Sequence, residues 1–301
     1  MSTPATIRLS TLLGTYPKTA ALKSGAVRVE GAELDIAPID DAMKGFKTAM
    51  RELKYDVCEL ALSTFLQARS VDKPFVLLPF VMNGKFHHGS ILRRASDRFG
   101  PHELNGRTVA LRSWSQTTPT WVRGFLMDDF GMKLDQVKWR VQIDGHVAEC
   151  PDPPWVGRIP AGKDLLQALI DGEVDAILSS LIPPGETRVV TVLDDPKAAG
   201  QAWGAKYDAV PINHLVVMRR ELADSRPDIV RAVYQALIAS RRAAEGEPRP
   251  GARVTEPHGF ANVQKAVEIG IRYAVAQGLI PKPFTTDELY GSVRQSLAGV
   301  A

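Results

Sequence analysis

Residues 106–131 constrain this chain more than any other stretch, because a buried strand, a polar loop and a helix start follow one another there within a few positions. Thr108, Val109, Ala110 and Leu111 form a short β-branched and apolar run of the kind that fills a buried strand. Beyond the loop, Thr118 is placed to cap a helix with Pro119 at its first position, and Gly131 is placed to stop it. Val122, Phe125 and Leu126 supply one apolar face. The amino end of that helix therefore turns free N–H groups past the strand, beside Ser115, Gln116, Thr117 and Thr118. Such an end suits a carboxylate or phosphate, and Arg112 and Arg123 are close enough in sequence to add full positive charge. The same pattern also fits an ordinary βα unit that binds nothing.

The plan recurs along the chain. Residues 7–13 alternate as a first strand, and Thr15 and Tyr16 stand in the polar break before a helix carrying Ala20, Ala21 and Leu22. Residues 33–39 read as the next strand, after which Asp40 or Asp41 caps a helix with Met43, Phe46, Met50 and Leu53. A strand over 55–62 follows and ends in Ser63 and Thr64, ahead of a helical start at Phe65. Asp164 opens a helix that leads to a strand over 174–178. Asp56 and Asp175 each stand where a buried strand begins, and both strands end in hydroxyl residues, Ser63-Thr64 and Ser179-Ser180, which suggests two lobes built alike. Between them, 75–80 and 89–92 look extended, with a turn expected at 83–85. Residues 211–218 form a strand that returns the chain to the first lobe. Helices are then expected over 227–244, 262–277 and 286–297, with a loop over 246–259. The segment 144–160, rich in proline, reads as a long irregular excursion.

Strands and helices alternating at this spacing predict an α/β protein with mostly parallel sheets, and in two-lobed versions the ligand lies in the cleft between lobes. Composition narrows the partners. With 301 residues and 45% hydrophobic content the chain is that of a globular protein, and a net charge of +3 without a basic aromatic segment argues against nucleic acid. No run is long enough to span a membrane. The first ten residues lack the basic start and apolar core of a secretory signal, so a cytoplasmic location is expected, or a periplasmic one if a signal segment precedes them. Cys58 and Cys150 make no disulfide or zinc framework. A homo-oligomer is compatible with all of this.

Short landmarks then appear in a set order: Gly14-Thr15-Tyr16 with Lys18-Thr19, Leu62-Ser63-Thr64-Phe65-Leu66, and Phe86-His87-His88-Gly89-Ser90-Ile91. Thr117-Thr118 with Trp121-Val122-Arg123-Gly124 comes next, then Val210-Pro211-Ile212-Asn213-His214, Gln277-Gly278-Leu279 and Glu288-Leu289-Tyr290. In these the chain resembles the 4,5-dihydroxyphthalate decarboxylase-like family, which has the type 2 periplasmic solute-binding-protein fold. The resemblance implies one lobe from 1–100 with 215–301, a second from 101–214, two hinge crossings, and a small aromatic or other organic carboxylate losing carbon dioxide in the cleft without a cofactor. Two places depart from the family pattern. His87-His88 stands where Arg-His is expected, and Ser179-Ser180-Leu181-Ile182 stands where an arginine is expected, so one bidentate carboxylate clamp is missing.

Loss of carbon dioxide from a hydroxylated aromatic acid requires protonation of the ring carbon that bears the carboxylate, and histidine is suited to deliver that proton. His88, His214 and His87 are the candidates. Read as neighbours on a strand, His87 and His88 point to opposite faces and make a poor metal pair on their own; a site would need His214 or a carboxylate as well, and no metal is the expectation. Arg112 is the better candidate than Arg123 to hold a carboxylate, because Arg123 stands a turn or more into its helix and could equally pair with Asp128 or Asp129 on the surface. Thr15, Tyr16, Ser63, Thr64, Ser115, Gln116, Thr117 and Thr118 offer further donors, and Trp121 a ring for stacking. The same cleft would also serve a non-catalytic binding protein that hands a small organic anion to an ABC-type transporter.

Overall fold

Two sheets, each with its own core, divide the chain into two units. The computed structural model describes residues 6–160, 162–180, 182–246 and 253–301. The first unit takes the described residues of Met1–Gly84, Ile212–Glu268 and Phe284–Ala301, and the second Lys85–Pro211 with Ile269–Pro283. In chain order the first run holds β1 (Ile7–Leu12), α1 (Pro17–Lys23), β2 (Ala32–Ile36), α2 (Phe46–Arg51), β3 (Val57–Ala61), α3 (Leu62–Ser70) and β4 (Phe75–Gly84). The second holds β5 (Ile91–Arg94), β6 (Thr108–Leu111), α4 (Thr117–Phe130), β7 (Lys138–Val141), β8 (Gly157–Arg158), α5 (Leu165–Ile170), β9 (Ala176–Leu178), β10 (Val189–Thr191) and α6 (Pro196–Tyr207). The chain ends with β11 (Ile212–Arg219), α7 (Arg220–Ser225), α8 (Pro227–Glu245), α9 (Phe260–Ala276), α10 (Thr286–Tyr290) and α11 (Val293–Ser296). Among the described residues no helix is long and apolar enough to cross a membrane.

The first sheet has the order β2-β1-β3-β11-β4, with β1 parallel to both β2 and β3 and β11 antiparallel to β3 and β4. All five residues of β3 are buried, as a central strand covered on both faces requires. Helix α1 is tied to α8, where Ser240 Oγ donates to the Lys18 carbonyl at 2.7 Å and accepts the Leu22 N–H at 3.3 Å. On α8 the buried residues Ile229, Val230, Val233, Tyr234 and Leu237 recur at helical spacing, so one stripe drives the docking.

The second sheet runs β10-β5-β9-β6-β7-β8, with β6, β7, β8 and β9 parallel and the edge pair β5 and β10 antiparallel. Leu92, Ala110, Ile159, Leu169, Ile177 and Val189 lie in its buried cluster. Both units start a strand with the same device. Asp56 accepts the Ser10 N–H at 2.9 Å while its own N–H donates to Ser10 O, and Asp175 does the same with Thr108 at 2.8 Å.

Several element ends differ from the sequence expectation, each for a local reason. Helix α4 begins at Thr117 with Gln116 as its cap residue, so Thr118 lies in the first turn and is not the cap; Gly131 does end it, at φ 66°. The expected helix 42–53 opens as a tight turn, Ala42–Gly45, capped by the Asp41 carboxylate, and Leu53 lies beyond it at φ 51°. Gly291, at φ 53°, breaks 286–297 into α10 and α11. Asn83 and Gly84 continue β4, and the turn falls at 87–90, where the Ser90 N–H donates to His87 O. His87 and His88 are therefore not strand neighbours. Strand β5, expected with the first lobe, pairs with β9 and β10 of the second sheet. Leu181 and residues 247–252 of the expected loop lie outside the described residues.

Segment 269–283 groups with the second unit because Arg272 and Tyr273 bond to Asp128 and Gln277 bonds to Arg123. Its packing is close. A Cβ placed on Gly124 of α4 would overlap the Tyr273 ring, which is buried and holds Asp128 at 2.6 Å. Gly124→Ala is expected to cost about 1–3 kcal/mol through overpacking. Urea denaturation followed by tryptophan fluorescence measures it, and a midpoint equal to the wild type would show that the ring has room to move.

Candidate functional site

At the carboxyl end of β1 the first unit buries a carboxylate. Glu59 is fully buried in the middle of β3, opposite Val216 of β11. Its pairing partner β1 has ended one residue earlier, since the last β1 register is Leu12 with Cys58, so the carboxylate meets the loop that follows β1. Three donors converge on it: the Gly14 N–H at 2.9 Å, the Tyr16 hydroxyl at 2.9 Å and His214 Nδ1 at 2.7 Å. Burial pushes the Glu59 pKa up, but the His214 hydrogen bond and charge, with Gly14 and Tyr16, pull it back below the ordinary value. Glu59 is thus an anion near neutral pH. A buried charge without such partners would cost several kcal/mol.

The chain is shaped to deliver those donors. A Cβ on Gly14 would sit 2.5 Å from the Tyr16 ring, so only glycine lets that ring fold back toward Glu59. Thr19 locks the turn, donating from Oγ1 to Gly14 O at 2.7 Å and accepting the Tyr16 N–H at 3.0 Å. Burial and the neighbouring Glu59 raise the Tyr16 pKa, so its hydroxyl keeps its proton and remains a donor. His214, on β11, is 5% exposed, and the Phe46 ring meets it edge-on at 5.2 Å. The bond from Nδ1 to Glu59 is the one hydrogen bond the His214 ring makes among the described residues, which leaves Nε2 as the nitrogen to meet a ligand. Cys58, next to Glu59, is kept a thiol by burial and so is no nucleophile.

Around this pair the rim is polar. Thr15 is exposed, donates to Asp40 at 2.7 Å and accepts from Lys23 Nζ at 2.7 Å. Partial burial lowers the Lys23 pKa, against the attraction of Asp40 and Glu59. Lys18 pairs with Glu256. Ser63 and Thr64 are buried in the first turn of α3. Glu59 itself went unnoticed in the sequence. Its signal was a lone carboxylate inside the apolar run 57–62.

The remaining candidates belong to the second unit. His87 and His88 are both buried in the turn before β5. His88 stacks on Phe125 with centroids 3.9 Å apart, and neither of its ring nitrogens has a hydrogen-bond partner. Burial pulls its pKa down to about 4, so it is an uncharged ring near neutral pH and ill suited to act as an acid. A cavity of about 160 Å³ beside it, walled by Phe130, Trp203 and Lys206, has room for about one bare aromatic ring. Arg112 is exposed, Ser115 and Thr117 are buried, and Gln116 and Thr118 are half-buried. Trp121 is packed edge-on against Trp203 and Tyr273 and offers no open face. Arg123 pairs with neither Asp128 nor Asp129. It is fully buried, donating to Gln277 and to Trp114 O at 2.7 Å and lying 3.7 Å over the Trp114 ring. Among the described residues no three His, Cys, Asp or Glu side chains are gathered in a metal-holding group.

Comparison with solved structures defines the class. The periplasmic aliphatic sulphonate binding protein SsuA from Escherichia coli superposes with a TM-score of 0.55 at 13% identity, covering 96% of this chain and 92% of that one. The desulfurization enzyme DSZB does so at 0.53 and 13%, covering 97% and 99%. The chain therefore has the two-lobed α/β fold of the periplasmic solute-binding proteins. No protein-family model matches it. In sequence it is similar to a 4,5-dihydroxyphthalate decarboxylase of Comamonas testosteroni, 26% identical over 251 residues, 79% of this chain and 76% of that one. A protein of the same name from Pseudomonas putida is 28% identical over 211 residues, 65% of this chain and 81% of that one. The resemblance carried by the short landmarks thus extends over most of the chain.

His88 yields a test of its own. Its folded pKa of about 4 lies below the ordinary 6.5, so between those values the unfolded chain binds a proton that the folded one refuses. Stability is therefore lost as pH falls from 6.5 toward 4. His88→Phe, which keeps the stack on Phe125, is expected to lose less Tm over that interval than the wild type in thermal melts. Parallel curves would place the titration elsewhere.

Proposed function

We propose that the protein is a decarboxylase of a small hydroxylated aromatic acid of the 4,5-dihydroxyphthalate type, with His214 as the proton donor. The observation that carries this reading is the buried His214–Glu59 pair, found in a chain similar over 79% of its length to a protein named for that reaction. The fold alone does not decide, since it serves a sulphonate-binding protein and a desulfurization enzyme alike.

The chemistry needs one proton placed on carbon. A proton from His214 Nε2 adds to the ring carbon that bears the carboxylate, with the ring hydroxyls stabilising the positive charge that develops. The carbon–carbon bond to the carboxylate then breaks, its electron pair restores the aromatic ring, and carbon dioxide leaves. His214 is left neutral and regains a proton from water. The protonated ring itself receives the electron pair, so the step calls on no organic cofactor. Tyr16 keeps Glu59 in place, while Lys23 on the same rim provides an ammonium for a second anionic group; the one proton of the Thr15 hydroxyl goes to Asp40. In the second unit taken by itself, Arg112 and the amino end of α4, with Ser115, Gln116, Thr117 and Thr118, are proposed to bind an anion, and no step of the reaction is routed through them. His87, His88, Ser63, Thr64 and Trp121 have no step in this reading.

His214→Gln is the informative variant, because its amide can still donate to Glu59 and spare the fold an uncompensated buried charge. It is expected to lower carbon dioxide release from 4,5-dihydroxyphthalate by at least about 100-fold. The rise in Tm on adding that acid should be retained. Headspace carbon dioxide and thermal shift are followed over a panel of hydroxyphthalates, benzoates and aliphatic diacids. An acid that stabilises the wild-type protein and is recovered unchanged would favour a binding protein; undiminished turnover in the variant would remove His214 from the mechanism.

A further inference from the structure

We infer that Glu59 is a positioning residue for the reaction: from within β3 it holds His214 by Nδ1, in the one orientation and tautomer that turns Nε2 toward the substrate. This rests on the decarboxylase reading only for its consequence in turnover. The pairing itself is independent of what the substrate is.

The geometry argues for a dedicated partner. Glu59 lies in the centre of a fully buried strand, where an apolar side chain would fill the space at lower cost, yet the chain supplies it with three donors, two from the turn between β1 and α1 and one from β11. The Gly14 N–H and the Tyr16 hydroxyl orient the carboxylate, leaving Oε1, shared with Tyr16, as the atom that meets Nδ1 at 2.7 Å. A carboxylate accepts and cannot donate, so Nδ1 must carry a proton, and the tautomer with a bare Nδ1 is excluded. Phe46 against the ring limits its rotation. When Nε2 also carries a proton, Glu59 supplies the counter-charge, and it stays ionised while that proton moves. The same reasoning explains Gly14, whose missing side chain admits Tyr16. The titratable groups that face Glu59 are His214 from β11, Tyr16 at the start of α1, Lys23 from the end of α1 and the neighbouring Cys58.

The test compares the wild type with Glu59→Gln and Tyr16→Phe, using 4,5-dihydroxyphthalate as the probe and two independent readouts. In steady-state kinetics, Glu59→Gln is expected to lower kcat by at least about 100-fold with KM little changed, since the substrate does not touch Glu59. In the proton NMR spectrum of the resting protein, the downfield Nδ1–H resonance of a histidine bonded to a carboxylate is expected in the wild type and in Tyr16→Phe, and is expected to move upfield in Glu59→Gln. Tyr16→Phe removes one donor from the Glu59 carboxylate, which then protonates more readily, so the acid limb of its kcat–pH profile should move to higher pH. That variant keeps the proposal testable if Glu59→Gln does not fold. Turnover of Glu59→Gln within about threefold of wild type, an unmoved resonance, or an unshifted acid limb in Tyr16→Phe would each overturn the assignment. If the wild type releases no carbon dioxide, the decarboxylase reading fails by itself, and the resonance alone decides whether Glu59 holds His214.

Discussion

The first unit depends on one buried negative charge. Glu59 joins the turn between β1 and α1 to the strand β11, two segments about 200 residues apart in the sequence. Coulomb attraction in a poorly hydrated interior makes such a junction strong only when every lone pair is used, and here both carboxylate oxygens have partners. Register follows from it. A shift of β11 by one residue would turn His214 to the other face of the sheet and leave Glu59 unpaired, so the charge penalises the wrong alignment of the strand that arrives last.

The second unit carries a buried charge of the opposite sign, settled by different means. Among the described residues Arg123 has no carboxylate within bonding distance; it lies over the Trp114 ring, with Trp139 beyond, and donates to a carbonyl and to the Gln277 amide. Burial draws its pKa down to about 9, against the pull of Asp152, so it remains a cation. Planar guanidinium suits this use because it stacks and forks at once, which an ammonium cannot do. The effect is to bind α4 to the segment after α9. This charge is spent on packing, whereas that of Glu59 is spent on presenting a ring nitrogen.

How much of this could be read beforehand follows from the range of each interaction. Local signals were legible: the buried run of β6, the Asp41 and Asp164 caps, the αL stop at Gly131, and the paired roles of Asp56 and Asp175. His214 was legible as a candidate because histidine on a returning strand is rare and chemically apt. Glu59 was not, since an isolated carboxylate in an apolar run has no meaning until the strand that faces it is known, and that strand lies 155 residues on. Arg123 misled for the same reason. Its place a turn or more into the helix suggested a surface pair with Asp128 or Asp129, but the side chain turns to Gln277, 154 residues away. His88 resembled a donor in sequence, and only the ring of Phe125 and the lack of any partner show it to be held neutral.

A fold that binds small anions needs donors at strand ends, and donors alone make a binding protein. What turns such a site into an enzyme for a hydroxylated aromatic acid is a proton held where the carbon will be, and a means of keeping the ring that holds it from turning away. Anion binding asks for positive charge near the ligand; a buried Glu59 works against that requirement, because it adds negative charge to the same rim. For a chain that merely captures carboxylates, an apolar residue at this position would be the better choice. The carboxylate makes sense when the ring it holds must become a cation and then give up its proton within one cycle, which is the demand of protonating carbon.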